Sequence, residues 1–195
     1  MKPHSLFLCL LVGLLALQCN SSNNNNNNSG KSSNLPLPNF PGNDQLQFEA
    51  QVEGSYVRGL RIEQDLPTAI GAHAEIEINF TGLGMSNIGQ FEFKIEPDPP
   101  TAFDLSASSF SPSLPFVTFP PGVEVQENNQ LWVVGANLQG NTNGDAELGT
   151  LTLHTSPTFN GATLRLVLFS IGPSSTQRDN YTDDQLNMGV VLDGN

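Results

Sequence analysis

Ala74-Glu75-Ile76-Glu77-Ile78-Asn79-Phe80 and Gln90-Phe91-Glu92-Phe93-Lys94-Ile95-Glu96 decide the fold class of this chain. In both, apolar side chains take every second position and charged or amide side chains fill the gaps. A strand turns successive side chains to opposite faces, so each stretch predicts a strand with one buried and one wet face. Phe48, Ala50 and Val52 keep the same period. Val123-Glu124-Val125-Gln126 and Leu131-Trp132-Val133-Val134 flank Glu127-Asn128-Asn129-Gln130, and asparagine tolerates the positive φ of tight turns, so this segment reads as a hairpin. Leu148 to Leu153 and Met188 to Leu192 supply further strands. Ala162 to Ile171 is apolar on both parities (Leu164, Leu166 and Leu168; Val167 and Phe169), which predicts a central strand covered on both sides.

Turn signals separate these runs: Asp98-Pro99-Pro100, Pro120-Pro121-Gly122, Asn143-Gly144-Asp145 and Asn160-Gly161. One helical turn is predicted at Thr182-Asp183-Asp184-Gln185, which has the Thr-x-x-Gln form of a capping box. No stretch shows the 3.6-residue period of a full-length amphipathic helix, and no repeat of solenoid length recurs. The pattern predicts an all-β, antiparallel sandwich of about nine strands.

Charge narrows the function classes. The 195 residues carry 7 Lys+Arg against 19 Asp+Glu, a net charge of -12. Nucleic acids and anionic membrane surfaces need a cationic footprint, which this composition lacks. Both cysteines, Cys9 and Cys19, stand near the N-terminus, so a disulfide scaffold and a Cys-rich zinc site are excluded.

The first residues read as a targeting segment. Lys2 gives a positive start and Leu6 to Leu17 is an apolar run, shorter than the about twenty residues a bilayer span needs. Ala16-Leu17-Gln18-Cys19 resembles the lipobox of bacterial lipoproteins, in which the cysteine is acylated; Gln18 departs from the small residue usual before it. Asn20 to Ser33 is almost entirely Asn and Ser, and Pro36, Pro38 and Pro41 follow. Such a composition buries too little apolar area to offset ordering entropy, so a flexible tether is expected. The expected organisation is a signal peptide over 1–18, a tether over 19–43 with Cys19 as the lipidation site, and one domain over 44–195. The resemblance implies a protein lipid-anchored at the bacterial cell envelope, facing the periplasm or the exterior, with simple secretion as the alternative.

Within the domain, Gly71-Ala72-His73-Ala74-Glu75-Ile76-Glu77-Ile78-Asn79 resembles the "G-D-x-V-x-V-x-V" opening of cohesin modules. Asn87 to Pro99 resembles the cohesin strand ending in a "Y-D-P" corner, with Pro97 in place of the Tyr. Glu147-Leu148-Gly149-Thr150-Leu151-Thr152-Leu153 resembles the family's "L-A-x-L-x-F" strand, and Ala162 to Leu166 its closing strands. The resemblance spans roughly residues 58–195. It implies a jelly-roll sandwich that binds a protein partner, a calcium-loaded dockerin-like module in the family, through a sheet face. No motif fixes which residues would make that contact. Carbohydrate-binding modules of cellulose-binding type look similar at this level, so a polysaccharide ligand is the alternative, followed by a structural envelope role.

Catalytic chemistry finds little support. His73 and His154 lack the partner motifs of a metal site or triad. Glu75 and Glu77 would share one strand's outward face with no cleft between them, unlike the carboxylates of a glycosidase. The expectation is a non-enzyme with no catalytic residues and no cofactor. Asn141, Asn143 and Asp145 place oxygen side chains at alternate positions, as calcium loops do, but Thr152 stands where an EF-hand needs a bidentate Glu. A polar turn is the favoured reading there and a non-EF calcium site the alternative. Asp179, Asp183, Asp184 and Asp193 form a second oxygen-rich stretch. Trp132 sits in an apolar run and is expected in the core. Phe110 to Pro121 interleaves Phe110, Leu114, Phe116 and Phe119 with four prolines, and reads either as a loop packed over the sandwich or as an exposed apolar ridge.

Overall fold

The computed structural model describes residues 46–51, 54–64, 70–120, 122–186 and 188–194, with side chains from residue 54 onward. The signal segment (1–18), the tether (19–43) with Cys19, and Val52 lie outside the described residues. Among the described residues twelve strands follow in chain order: β1 (Leu46–Gln51), β2 (Gly59–Gln64), β3 (Glu75–Ile88), β4 (Gln90–Asp98), β5 (Ser109–Pro112), β6 (Phe116–Val117), β7 (Val123–Val125), β8 (Leu131–Asn137), β9 (Thr142–His154), β10 (Ala162–Ser174), β11 (Gln177–Thr182) and β12 (Met188–Leu192). One helical turn, α1 (Asp183–Leu186), precedes the last strand.

They form two antiparallel sheets. The smaller has the order β1-β2-β3-β9-β5 and the larger β11-β10-β4-β8-β6, with β12 beside β11 on β10 and β7 beside β6 on β8. The alternation in β3 and β4 sets the layers. Ile76, Ile78 and Phe80 of β3 and Phe91, Phe93 and Ile95 of β4 are all buried, while Glu75, Glu77 and Asn79 stay exposed. Between the sheets Phe80 stacks on Phe93 with centroids 4.5 Å apart, and Phe91, Phe110 and Phe116 close the cluster at 5.1–6.1 Å. These rings come from both sheets, so the aromatic core is the joint between the layers. Gly135 of β8 lies under the Phe91 ring; a Cβ there would come within 2.3 Å of it. Fully packed interiors leave no room for that methyl.

Several expectations change in detail. The strand count exceeds nine because β5, β6 and β11 carry too few apolar positions to show a period. Asn143-Gly144-Asp145 is no turn: it lies within β9, where Gly144 at φ +84° accompanies register shifts against the end of β3. The double-sided apolarity of β10 has a different cause from burial on both faces. Leu166 pairs with Ile95 and Leu168 with Lys94, leaving Val167 as an extra residue in a bulge. The bulge reverses the parity, so Leu164, Leu166, Phe169 and Ile171 point inward while Val167 and Leu168 are half-exposed. The hairpin stands between β7 and β8 with Asn129 at φ 60°. Half of the capping box stands: Thr182 N–H donates to Gln185 Oε1 at 3.0 Å, while the Thr182 hydroxyl donates to Asp184.

Candidate binding face

The outer face of the larger sheet is assembled by register. β4 projects Glu92, Lys94 and Glu96 away from the core, and β8 projects Trp132, Val134 and Ala136. Pairing aligns them in rows. Thr182, Leu168, Lys94, Trp132 and Glu124 lie across the sheet in one row; Asn180, Ser170, Glu92 and Val134 lie in the next. Trp132 is therefore half-exposed on the outer face and not in the core. The sequence expectation fails because four consecutive apolar residues, Leu131 to Val134, hide which parity is inward. The hairpin held the needed signal: its register sets Trp132 opposite Glu124, a charged residue that must face water.

Trp132 is held in place. Its Nε1–H donates to Glu92 Oε1 at 2.8 Å, and Arg178 Nη1 donates to Glu92 Oε2 at 2.6 Å. The Glu92 side chain is only 15% exposed, so both carboxylate oxygens are committed within the sheet. Lys94 Nζ sits over the indole, 5.6 Å from the ring centroid. Around this group, Gln130 Nε2 donates to Glu96 Oε2, Arg165 pairs with Asp183 at 3.4 Å, and Ser170 Oγ donates to Asn180 Oδ1.

The apolar rim lies at one edge of this sheet. Among the described residues the exposed large apolar side chains are Leu114, Val117, Phe119, Val125 and Leu138, all between residues 114 and 138 on or beside β6, β7 and β8. The Phe110–Pro121 stretch thus does both things expected of it: Phe110 and Phe116 enter the core, while Leu114 (85% exposed) and Phe119 (49%) face out. Pro112, Pro115 and Pro120 remove N–H donors along this stretch, which discourages another strand from adding to it.

The remaining candidates fall elsewhere. Asn143 Oδ1 accepts the Asn87 N–H at 2.8 Å, Asp145 Oδ1 accepts the Gly84 N–H at 2.6 Å, and Asn141 Nδ2 donates to Asn87 Oδ1. Gly84 and Asn87 have positive φ, so these side chains satisfy backbone groups where β3 departs from regular pairing. Among the described residues no group of three or more His, Cys, Asp or Glu is placed to hold a metal ion. The Asp-rich stretch is divided among local tasks. Asp179 accepts the Tyr56 N–H, Asp183 pairs with Arg165, and Asp184 accepts from the Thr182 hydroxyl. Burial and the adjacent Asp179 carboxylate push the Tyr181 phenol well above its ordinary range. His73 is exposed in a turn at φ 58°, and His154 Nε2 lies 3.8 Å from Glu75 Oε2 on the opposite, smaller sheet. Glu75 and Glu77 lie on that sheet's open face. Nearby, the Ser106 hydroxyl donates to Asp104 and holds its carboxyl below the usual value.

The architecture defines an antiparallel jelly-roll β-sandwich. It is similar to a cohesin module from a family 33 glycoside hydrolase of Clostridium perfringens, with TM-score 0.55 and 13% identity over 72% of this chain and 98% of that one. The sixth cohesin of scaffoldin B from Acetivibrio cellulolyticus, solved in complex with a Cel5 dockerin, aligns at TM-score 0.41 and 14% identity over 65% and 89% of the two chains. A non-cellulosomal cohesin from Archaeoglobus fulgidus aligns at TM-score 0.38 and 15% identity over 65% and 81%. The fold is cohesin-like. No family model and no curated protein matches the chain.

Proposed function

We propose that this domain is a non-catalytic module that binds a protein partner on the outer face of the larger sheet. The observation that carries the reading is Trp132: an indole fixed by Glu92 and Lys94, half-exposed on a sheet face that also presents Val134 and Leu168, beside the apolar edge from Leu114 to Leu138. Immobilised aromatic side chains ringed by polar groups are the usual anchors of protein interfaces. The cohesin-like fold supports a protein partner, with a dockerin-like module as the partner class it suggests. In the same reading Cys19 carries a lipid and the Asn/Ser-rich tether holds the domain off the envelope.

The test is capture from the source organism's envelope and secreted fractions with three baits: the wild type, Trp132→Ala, and Glu77→Lys on the opposite face. A protein retained by the wild type and Glu77→Lys but lost from Trp132→Ala supports the reading. Retention by all three, or enrichment of glycan without protein, contradicts it; the glycan result points to a carbohydrate-binding module.

A further inference from the structure

We propose that Lys94 and Trp132 together receive a carboxylate-bearing apolar group, so that the partner presents an acidic side chain next to an apolar one at this point. The proposal rests on the binding-face reading and specifies the chemistry that face selects.

The placement of cations carries it. The described residues include five, Arg58, Arg61, Lys94, Arg165 and Arg178, in a chain of net charge -12. Three of the five, Lys94, Arg165 and Arg178, belong to the larger sheet, on β4, β10 and β11. Arg165 is paired with Asp183 and Arg178 with Glu92. Lys94 has no carboxylate within ion-pair distance among the described residues; its contact is the Trp132 ring. The acidic residues on either side of it along the same face of β4 are already engaged, Glu92 by Trp132 and Arg178, and Glu96 by Gln130. Glu124, at the β7 end of the row, lies beyond Trp132.

In register, Lys94 stands between Leu168 and Trp132. An ammonium resting on an aromatic face has lost water on that side but keeps donors on the other. A carboxylate arriving there makes a charge-assisted hydrogen bond while its apolar portion covers Leu168 and the indole. On the larger sheet the other two cations are already paired, so this one unpaired ammonium gives position-specific selection on that face.

Trp132 is the chain's single tryptophan, so its fluorescence and its indole N–H resonance report on this site without labelling. The probe is 3-phenylpropanoate, compared with its neutral isostere 3-phenylpropanamide, each titrated into the full chain. The acid should perturb the indole signal at about fivefold lower concentration than the amide, the upper range for an exposed ion pair. Lys94→Gln should erase that preference without altering the thermal melt, and Lys94→Arg should retain it. Equal response to acid and amide, a preference surviving in Lys94→Gln, or no indole response to either probe would overturn the proposal. Those results would leave the binding face intact if capture still depends on Trp132; capture indifferent to Trp132→Ala removes the binding face itself.

Discussion

The two outer faces of the sandwich follow the same two-residue alternation but carry different cargo. On the smaller sheet the outward positions are Glu75, Glu77, Asn79, Thr150, Thr152 and His154, short or charged groups, with Thr150 Oγ1 donating to Asn79 at 2.6 Å and His154 beside Glu75. On the larger sheet the outward positions are Trp132, Val134, Ala136 and Leu168, set among Glu92, Lys94 and Arg178. Both faces look onto water. Only the second leaves large apolar groups there and adds a hydrogen-bond network to fix one of them. Leaving part of an indole in water forgoes part of the stabilisation of burying it, which fits a side chain placed for contact on this face.

The largest expected effect treats the faces alike. Phe93 touches rings from both sheets, so Phe93→Ala should cost about 3–5 kcal/mol in denaturant unfolding and blunt both faces together. A cost under about 1 kcal/mol would show that the aromatic core is not the joint described.

Next, Trp132→Ala should weaken partner binding by about 2 kcal/mol, roughly 30-fold, while Glu77→Lys should stay within a few tenths of a kcal/mol of wild type. Calorimetry with the captured partner measures both. Equal losses would erase the asymmetry between the faces.

A smaller effect sharpens the account of the polar residues that resemble a calcium loop. Asn143 and Asp145 satisfy backbone N–H groups of β3, so Asn143→Ala and Asp145→Ala should each cost about 1 kcal/mol of stability, read from chemical unfolding. Chelator should leave the wild-type melt unchanged; a fall in Tm on adding EDTA would show that these oxygens also hold a cation.

The pH limbs should divide between the sheets. Tyr181, on the larger sheet, has its phenol raised above the ordinary 10.0, so its contribution is complete below that value and is lost as pH rises through the folded value. Asp104, whose N–H donates to the carbonyl of His154 at the end of β9, has its carboxyl lowered, so its contribution is present above the ordinary 3.8 and fades as pH falls through the folded value. In melts across pH, the gap between wild type and Tyr181→Phe should close at the alkaline end, and that between wild type and Asp104→Asn at the acid end. The opposite ordering would contradict these assignments.

The sequence shows β3, β4, the β7–β8 hairpin, β9, β10 and β12 because each has at least two apolar residues in phase. It hides β11, where Gln177 to Thr182 offers only Tyr181 to the core, and β5 and β6, whose few apolar residues stand among Ser and Pro. β2, with Leu60 and Ile62 in phase, carries the same signal as the shorter β12 and is legible in principle. The outward set of the larger sheet is hidden for a different reason. It depends on which parity of β8 faces inward and on a one-residue bulge at Val167, and both are decided by pairing with distant strands.

The most direct test of the central claim is photocrosslinking in the source cells. Benzoylphenylalanine is placed at Val134 on the larger sheet or at Thr152 on the smaller one, in the full chain. One recurrent protein adduct is expected from position 134 and none from 152. Adducts from 152 alone, or equally from both positions, would contradict a partner-binding face on the larger sheet.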